Sequence, residues 1–144
     1  MLVLLVTLGT TSAFANTRNE EAVSQQVLDN FKKEFVNAKD VVWQNSKEYI
    51  KATFSMNEQV MFAFYNSNGE LLAISRNISS EKLPISLLTS LRKNYNEYWI
   101  TDLFEMVSGG EGSYYITLEN ADVKLVLKSD EFGGWDVYTK VKKA

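Results

Sequence analysis

The chain has 144 residues, 45% of them hydrophobic and 23% charged, with one proline and a net charge of −3, which are the proportions of one ordinary globular domain. It contains no cysteine and no histidine, which excludes disulfides, thiol nucleophiles, zinc sites of the Cys/His type and every histidine-based general base or triad. Lysines and arginines are scattered among the acids, so the basic face that a nucleic-acid partner demands is absent and no such partner is expected.

In chain order, Leu2 to Leu8 form an apolar run, followed by a Thr/Ser-rich stretch and the small-x-small sequence Ala13-Phe14-Ala15. That pattern predicts a signal peptide over residues 1–15 cleaved after Ala15, although no Lys or Arg precedes the apolar run. The run is too short to span about 30 Å of hydrocarbon, and the cleavage point carries no lipobox cysteine. The mature product, residues 16–144, is expected to be one periplasmic or secreted domain without a membrane span.

From about Ala22 to Asn37, Val23, Val27, Leu28, Phe31 and Phe35 recur at three- and four-residue steps, which predicts an amphipathic helix. From Val41 onward the period changes to two. Ile50, Ala52 and Phe54 alternate with Tyr49, Lys51 and Thr53, and Met61, Ala63 and Tyr65 alternate with Val60, Phe62 and Phe64, the mark of strands. Asn66 to Gly69 predicts a tight turn, and a further strand runs from Leu71 to about Asn77.

A second helix is marked by Leu87, Leu88, Leu91 and Tyr95, with Ser79 and Ser80 as candidate caps and Pro84 placed for its first turn. Strands are predicted after it near Trp99 to Val107, Ser113 to Leu118, Val123 to Leu127 and Trp135 to Val141. A shift of sixty residues matches Val27, Phe31, Lys32, Lys33 and Phe35 with Leu87, Leu91, Arg92, Lys93 and Tyr95. With a slightly longer shift Met61, Ala63 and Tyr65 meet Val123, Leu125 and Leu127, whereas Ile50 meets Gly112 and fails.

The expected fold is therefore α+β, with two tandem helix-plus-antiparallel-sheet units over about residues 22–78 and 82–142 and both helices on one face of the sheet. Positions apolar in both halves, namely Met61, Ala63, Tyr65, Tyr114, Ile116, Val123, Leu125 and Leu127, are predicted to face the helices. Their alternates, Lys51, Thr53, Phe62, Phe64, Tyr115, Thr117, Lys124 and Val126, are assigned to the opposite face.

Two helix-then-sheet units behind a leader, a strand ending in Tyr65-Asn66-Ser67-Asn68-Gly69 and the step Leu83-Pro84 into the second helix together resemble the PepSY-like family, related in fold to the β-lactamase-inhibitor protein. The resemblance covers nearly all of the mature chain. It implies helices on one side of a sheet whose other, concave side is open to a partner. It does not carry over inhibition of a β-lactamase, since the named inhibitor contains disulfides and this chain has no cysteine.

Among chemical groups, Glu105, Glu111, Glu119 and Asp122 are the candidates for a glycosidase-like pair, which needs carboxyls roughly 5 to 10 Å apart. Asn66 to Gly69 and Ser129 to Glu131 lack the alternating acidic ligands of a calcium loop and read as hairpin turns. The glycines at 109, 110 and 112 lack phosphate-loop spacing. No catalytic residue, metal or cofactor is assigned.

A candidate partner surface is formed by Phe62, Phe64, Tyr115 and Tyr138 with Lys51, Lys124 and Lys140 at its margins. The favoured function is a noncatalytic binding or inhibitor-type module that engages a protein or peptide of the cell envelope, as monomer or homodimer. A carboxylate hydrolase of envelope polysaccharide and a homo-oligomeric structural protein are the alternatives.

Overall fold

A computed structural model describes residues 22–144, so the predicted signal peptide and its cleavage point lie outside the described residues. The element order is α1 (Gln25–Glu34), β1 (Lys39–Asn45), β2 (Ile50–Met56), β3 (Gln59–Tyr65), β4 (Leu71–Asn77), a 3-10 turn at Ser80–Lys82, α2 (Ile85–Asn94), β5 (Trp99–Ser108), β6 (Glu111–Glu119), β7 (Val123–Ser129) and β8 (Trp135–Lys142). The strands form a single eight-stranded sheet in the order of the chain, every pair antiparallel.

Helix α1 is shorter than the apolar periodicity, which runs from Val23 to Phe35, and α2 ends one residue before Tyr95. Helix α1 starts at Ser24, whose Oγ accepts from the Val27 N–H at 3.4 Å, and it closes at Phe35. Pro84 occupies the N-cap position of α2, one step outside the first turn, and the two serines assigned as caps serve the preceding 3-10 turn instead. A proline suits that place because the helix asks for no N–H there.

The pairing register decides which side chains share a face, since directly opposed residues point the same way. Trp43, Ala52, Ala63 and Ile74 lie in one cross-strand row, continued by Val107 on β5, and alternation along β5 brings Leu103 to that side as well. This is the face both helices cover.

Two cores sit on it. Val27, Phe31 and Phe35 pack on Trp43, Ala52, Phe54, Ala63 and Tyr65, with Met61 partly buried beside them. Leu87 and Leu91 pack on Leu103, Ile116, Leu118, Leu125 and Leu127, flanked by Tyr114 and Val123. Each buried side chain of this size contributes about 1.5–3 kcal/mol relative to exposure. The first core is built from rings: Phe31 meets Phe35, Trp43 and Phe54 at centroid distances of 5.2, 5.1 and 5.0 Å. Between the cores the sheet carries a polar seam, in which Arg76 of β4 pairs with Glu105 of β5 at 2.9 Å and also donates to Gln59 Oε1 at 3.1 Å.

Each helix also leans on a hairpin turn. Gly69 has φ +84°, and a Cβ there would come within 2.9 Å of Gln26, while Asn30 Nδ2 donates to the Gly69 carbonyl at 2.7 Å. Gly133, with φ +81°, stands against Ser86 of α2, where a Cβ would lie 2.8 Å from Oγ, and Trp135 Nε1 donates to the Leu87 carbonyl at 3.0 Å. Only glycine combines that backbone with that approach.

Candidate functional site

The face opposite the helices carries a third cluster. Phe64, Ala73 and Met106 are buried in it, and Tyr49, Phe62, Leu72, Phe104 and Tyr115 pack around them. All but Tyr49 come from strands, so these residues are sheltered chiefly by one another. A row Thr53, Phe62, Ser75, Met106 and Ser113 crosses from β2 to β6 without a break. The helix side is divided at the seam by a charged pair, whereas on this side the cluster continues across it, with Ser75 buried opposite Met106.

The rings are ordered by contact. Phe104 stacks on Tyr115 at 5.1 Å and 11°, Tyr115 meets Tyr138 edge-on at 5.6 Å, and Tyr49 meets Phe64 edge-on at 5.3 Å. Lys51 Nζ lies 4.6 Å from the Phe62 centroid and 5.8 Å from that of Phe64. Burial holds the Lys51 ammonium below its ordinary range, because a low-dielectric site disfavours the charged form. Lys128 sits over Tyr115 at 5.6 Å.

Of the seven surface residues predicted, five therefore meet here: Phe62, Phe64, Tyr115, Tyr138 and Lys51. Lys124 shares the face but stands at its far end opposite Glu119, and its charge favours ionisation of both Glu119 and Asp102. Lys140 belongs to the other side. It pairs with Leu125, a helix-facing residue, because a bulge in the β7–β8 ladder places Tyr138 and Thr139 side by side on the outer face and breaks the alternation.

Sequence reasoning missed Phe104, Met106, Leu72, Tyr49 and Lys128. In β5 the apolar residues Leu103, Phe104, Met106 and Val107 fall on both faces, so no alternation marks the outer pair. Pairing of Phe104 with Tyr115 is the signal that a register assignment would have supplied.

The carboxylates are largely committed elsewhere. Glu105 is held by Arg76, and Glu119 by Lys143 at 3.1 Å. Hydrogen bonds from Lys143 and then Thr101 hold the Glu119 carboxyl below its usual range. Burial pushes Asp102 upward, against the opposing pull of the Leu103 N–H and Lys124. Asn66 and Asp130 are turn residues: Asn66 Oδ1 accepts from the N–H groups of Asn68 and Glu70, and Asp130 Oδ1 from those of Phe132 and Gly134. An open depression of about 690 Å³ at the β6 and β7 ends is lined by Glu111, Lys128, Glu131 and Asp136 among others. Among the described residues no three acidic side chains are grouped as a metal site needs, and no helix is long and apolar enough to cross a membrane.

No family model and no curated protein matches the sequence. Solved structures do match the fold. A BLIP-like protein from Bacteroides fragilis NCTC 9343 superposes with a TM-score of 0.74 at 23% identity, over 85% of this chain and 89% of that one. A DUF2874 family protein from Bacteroides ovatus ATCC 8483 gives 0.73 at 18% identity, over 83% and 87%. A protein from Bacteroides eggerthii DSM 20697, provisionally assigned to the periplasm, gives 0.73 at 14% identity, over 83% and 88%. The chain thus has the BLIP-like fold, an eight-stranded antiparallel sheet with two helices.

Proposed function

We propose that the mature chain, residues 16–144, is a noncatalytic, exported binding module of the PepSY-like kind that presents the sheet face opposite its helices to a protein or peptide of the cell envelope. The observation that carries this reading is the third cluster. An aromatic and aliphatic surface edged by Lys51 and Lys128 occupies the one broad sheet face that neither helix covers. Large aromatic anchors with adjacent cations are the residue types that dominate protein recognition. Export follows from the Leu2 to Leu8 run and the Ala13-Phe14-Ala15 sequence, and the likeness to a protein provisionally placed in the periplasm agrees with it.

The order helix, four strands, helix, four strands supports a tandem arrangement in which each unit contributes half of the binding face. Capture from envelope extract tests the proposal, comparing the parent with a Phe62→Ala, Tyr115→Ala variant whose fold is verified by circular dichroism. A defined partner is expected to be held by the parent and lost by the variant. Retention by both forms would remove the face from the function, and concentration-dependent self-association abolished by the same variant would favour the homo-oligomeric reading.

A further inference from the structure

Among the described residues the sheet ends in two edges, β1 and β8, and they are not alike. On β1 the ladder is broken between Lys39 and Val42, where Asp40 turns to φ +53°, and the two charges of the strand, Lys39 and Asp40, are of opposite sign. On β8 the ladder is regular from Thr139 to Lys142, and every residue from Asp136 to Lys142 is exposed. Lys140 and Lys142 lie on the helix side of that stretch, opposite Leu125 and Val123. Neither has an ion-pair partner among the described residues.

The middle of the sheet shows what an edge of this kind accepts. One cross-strand row runs Val42, Thr53, Phe62, Ser75 and then Met106, the last supplied by β5. A second row runs Asp102, Thr117, Val126 and Thr139, and stops at the open side of β8. Thr139 therefore holds on β8 the place that Ser75 holds on β4, and Lys140 the place of Arg76. Beside Arg76 the next strand is antiparallel, is registered only from Ile74 to Asn77, and sets Glu105 against the guanidinium at 2.9 Å.

We propose that the β8 edge binds an extended acidic segment of a partner protein by strand addition, antiparallel to Thr139–Lys142, with one carboxylate set against Lys140 and another, two residues along, against Lys142. The main chain of that segment takes up the N–H and C=O groups that β8 turns away from β7. A second copy of the chain does not fit the place. Two antiparallel β8 strands overlapped on Thr139–Lys142 set lysine against lysine. Strand β1, whose Val42 matches Asp102 of β5, brings Asn45 where β5 brings Glu105. Edge lysines bar unselective pairing and leave the edge open to a segment of opposite charge. The carboxylates fall on the helix side, so this contact goes beyond the aromatic face and does not use Phe62 or Tyr115.

The test is titration of the isotope-labelled mature protein with a capped peptide of alternating valine and glutamate, and with its valine–lysine counterpart, followed by amide shifts and hydrogen exchange. The acidic peptide is expected to shift the amides of Thr139 to Lys142 saturably, to slow their exchange, and to leave β1 unchanged. Lys140→Gln should weaken it by about fivefold. Lys140→Glu combined with Lys142→Glu should reverse the preference, so that the lysine peptide binds instead, a gain that a misfolded variant cannot show. Phe62→Ala, Tyr115→Ala should bind the acidic peptide like the parent, which separates this edge from the aromatic face. Equal binding of the two peptides, indifference to the charge reversal, shifts centred on β1 or on the aromatic face, or the absence of saturable binding at β8 would each overturn the assignment.

Discussion

The two helix-side cores solve one packing problem with different materials. The α1 core interlocks Phe31, Phe35, Trp43, Phe54 and Tyr65, while the α2 core is nearly all leucine, with Ile116 at its centre. Rings give few, large and directional contacts; leucines give many small ones that tolerate rearrangement. The aromatic half should therefore be the more sensitive to loss of a single side chain and the leucine half the more adaptable, in line with a groove of about 210 Å³ beside α1 and a larger one of about 310 Å³ beside α2.

The sharpest test compares Phe31→Ala with Leu91→Ala, which occupy matching helix positions. We expect losses of about 4 and about 3 kcal/mol in urea unfolding, and equal losses would break the contrast. Next come the two turns against which the helices lean. Gly69→Ala and Gly133→Ala should each cost about 2 kcal/mol, through strain at positive φ and through the approach of Gln26 or Ser86. Adding Ser86→Gly to Gly133→Ala should recover only the contact part, as read by thermal unfolding.

Tyr65 sharpens the comparison by pH. Its hydroxyl is buried without a hydrogen-bond partner among the described residues, and burial, reinforced by the charge of Glu34, pushes its pKa up to about 12 from 10.0. Between those values the unfolded chain has released a proton that the folded chain retains. Stability is therefore full below pH 10 and falls as pH rises toward about 12, by up to about 1.4 kcal/mol per unit for this group. Tyr65→Phe should remove that part of the alkaline dependence and be neutral or slightly stabilising near pH 7. The smallest effect belongs to the seam: Arg76→Ala should cost about 0.5–1 kcal/mol, because the Glu105 pair is partly exposed.

Much of this was legible in the sequence, because the decisive periodicities are strong. Leu71–Asn77 is a strand as predicted, and the assignment of Ala63, Tyr65, Ile116, Leu125 and Leu127 to the helix side, with Phe62, Phe64 and Tyr115 opposite, agrees with the packing. What escaped has identifiable causes. Bulges at Phe64/Tyr65 and Val126/Leu127 turn Leu72 toward the aromatic face and Lys140 away from it, and a residue inserted in one strand leaves no mark on local composition. Phe104 and Met106 escaped because β5 is apolar on both sides. A common sheet was expected, but the ladder that joins its halves, Ile74 to Asn77 against Phe104 to Val107, was hidden because it is made across the chain's second helix.

Strand order that follows chain order also governs how the molecule reaches its fold. Six of the seven ladders close between segments joined by a short turn, so little loop entropy is spent before contacts form, and chains of that kind fold fast for their content of sheet. The β4–β5 ladder alone must wait for α2 to be placed. Docking of the halves is then the late event, and the aromatic face that spans them exists only once that event is complete.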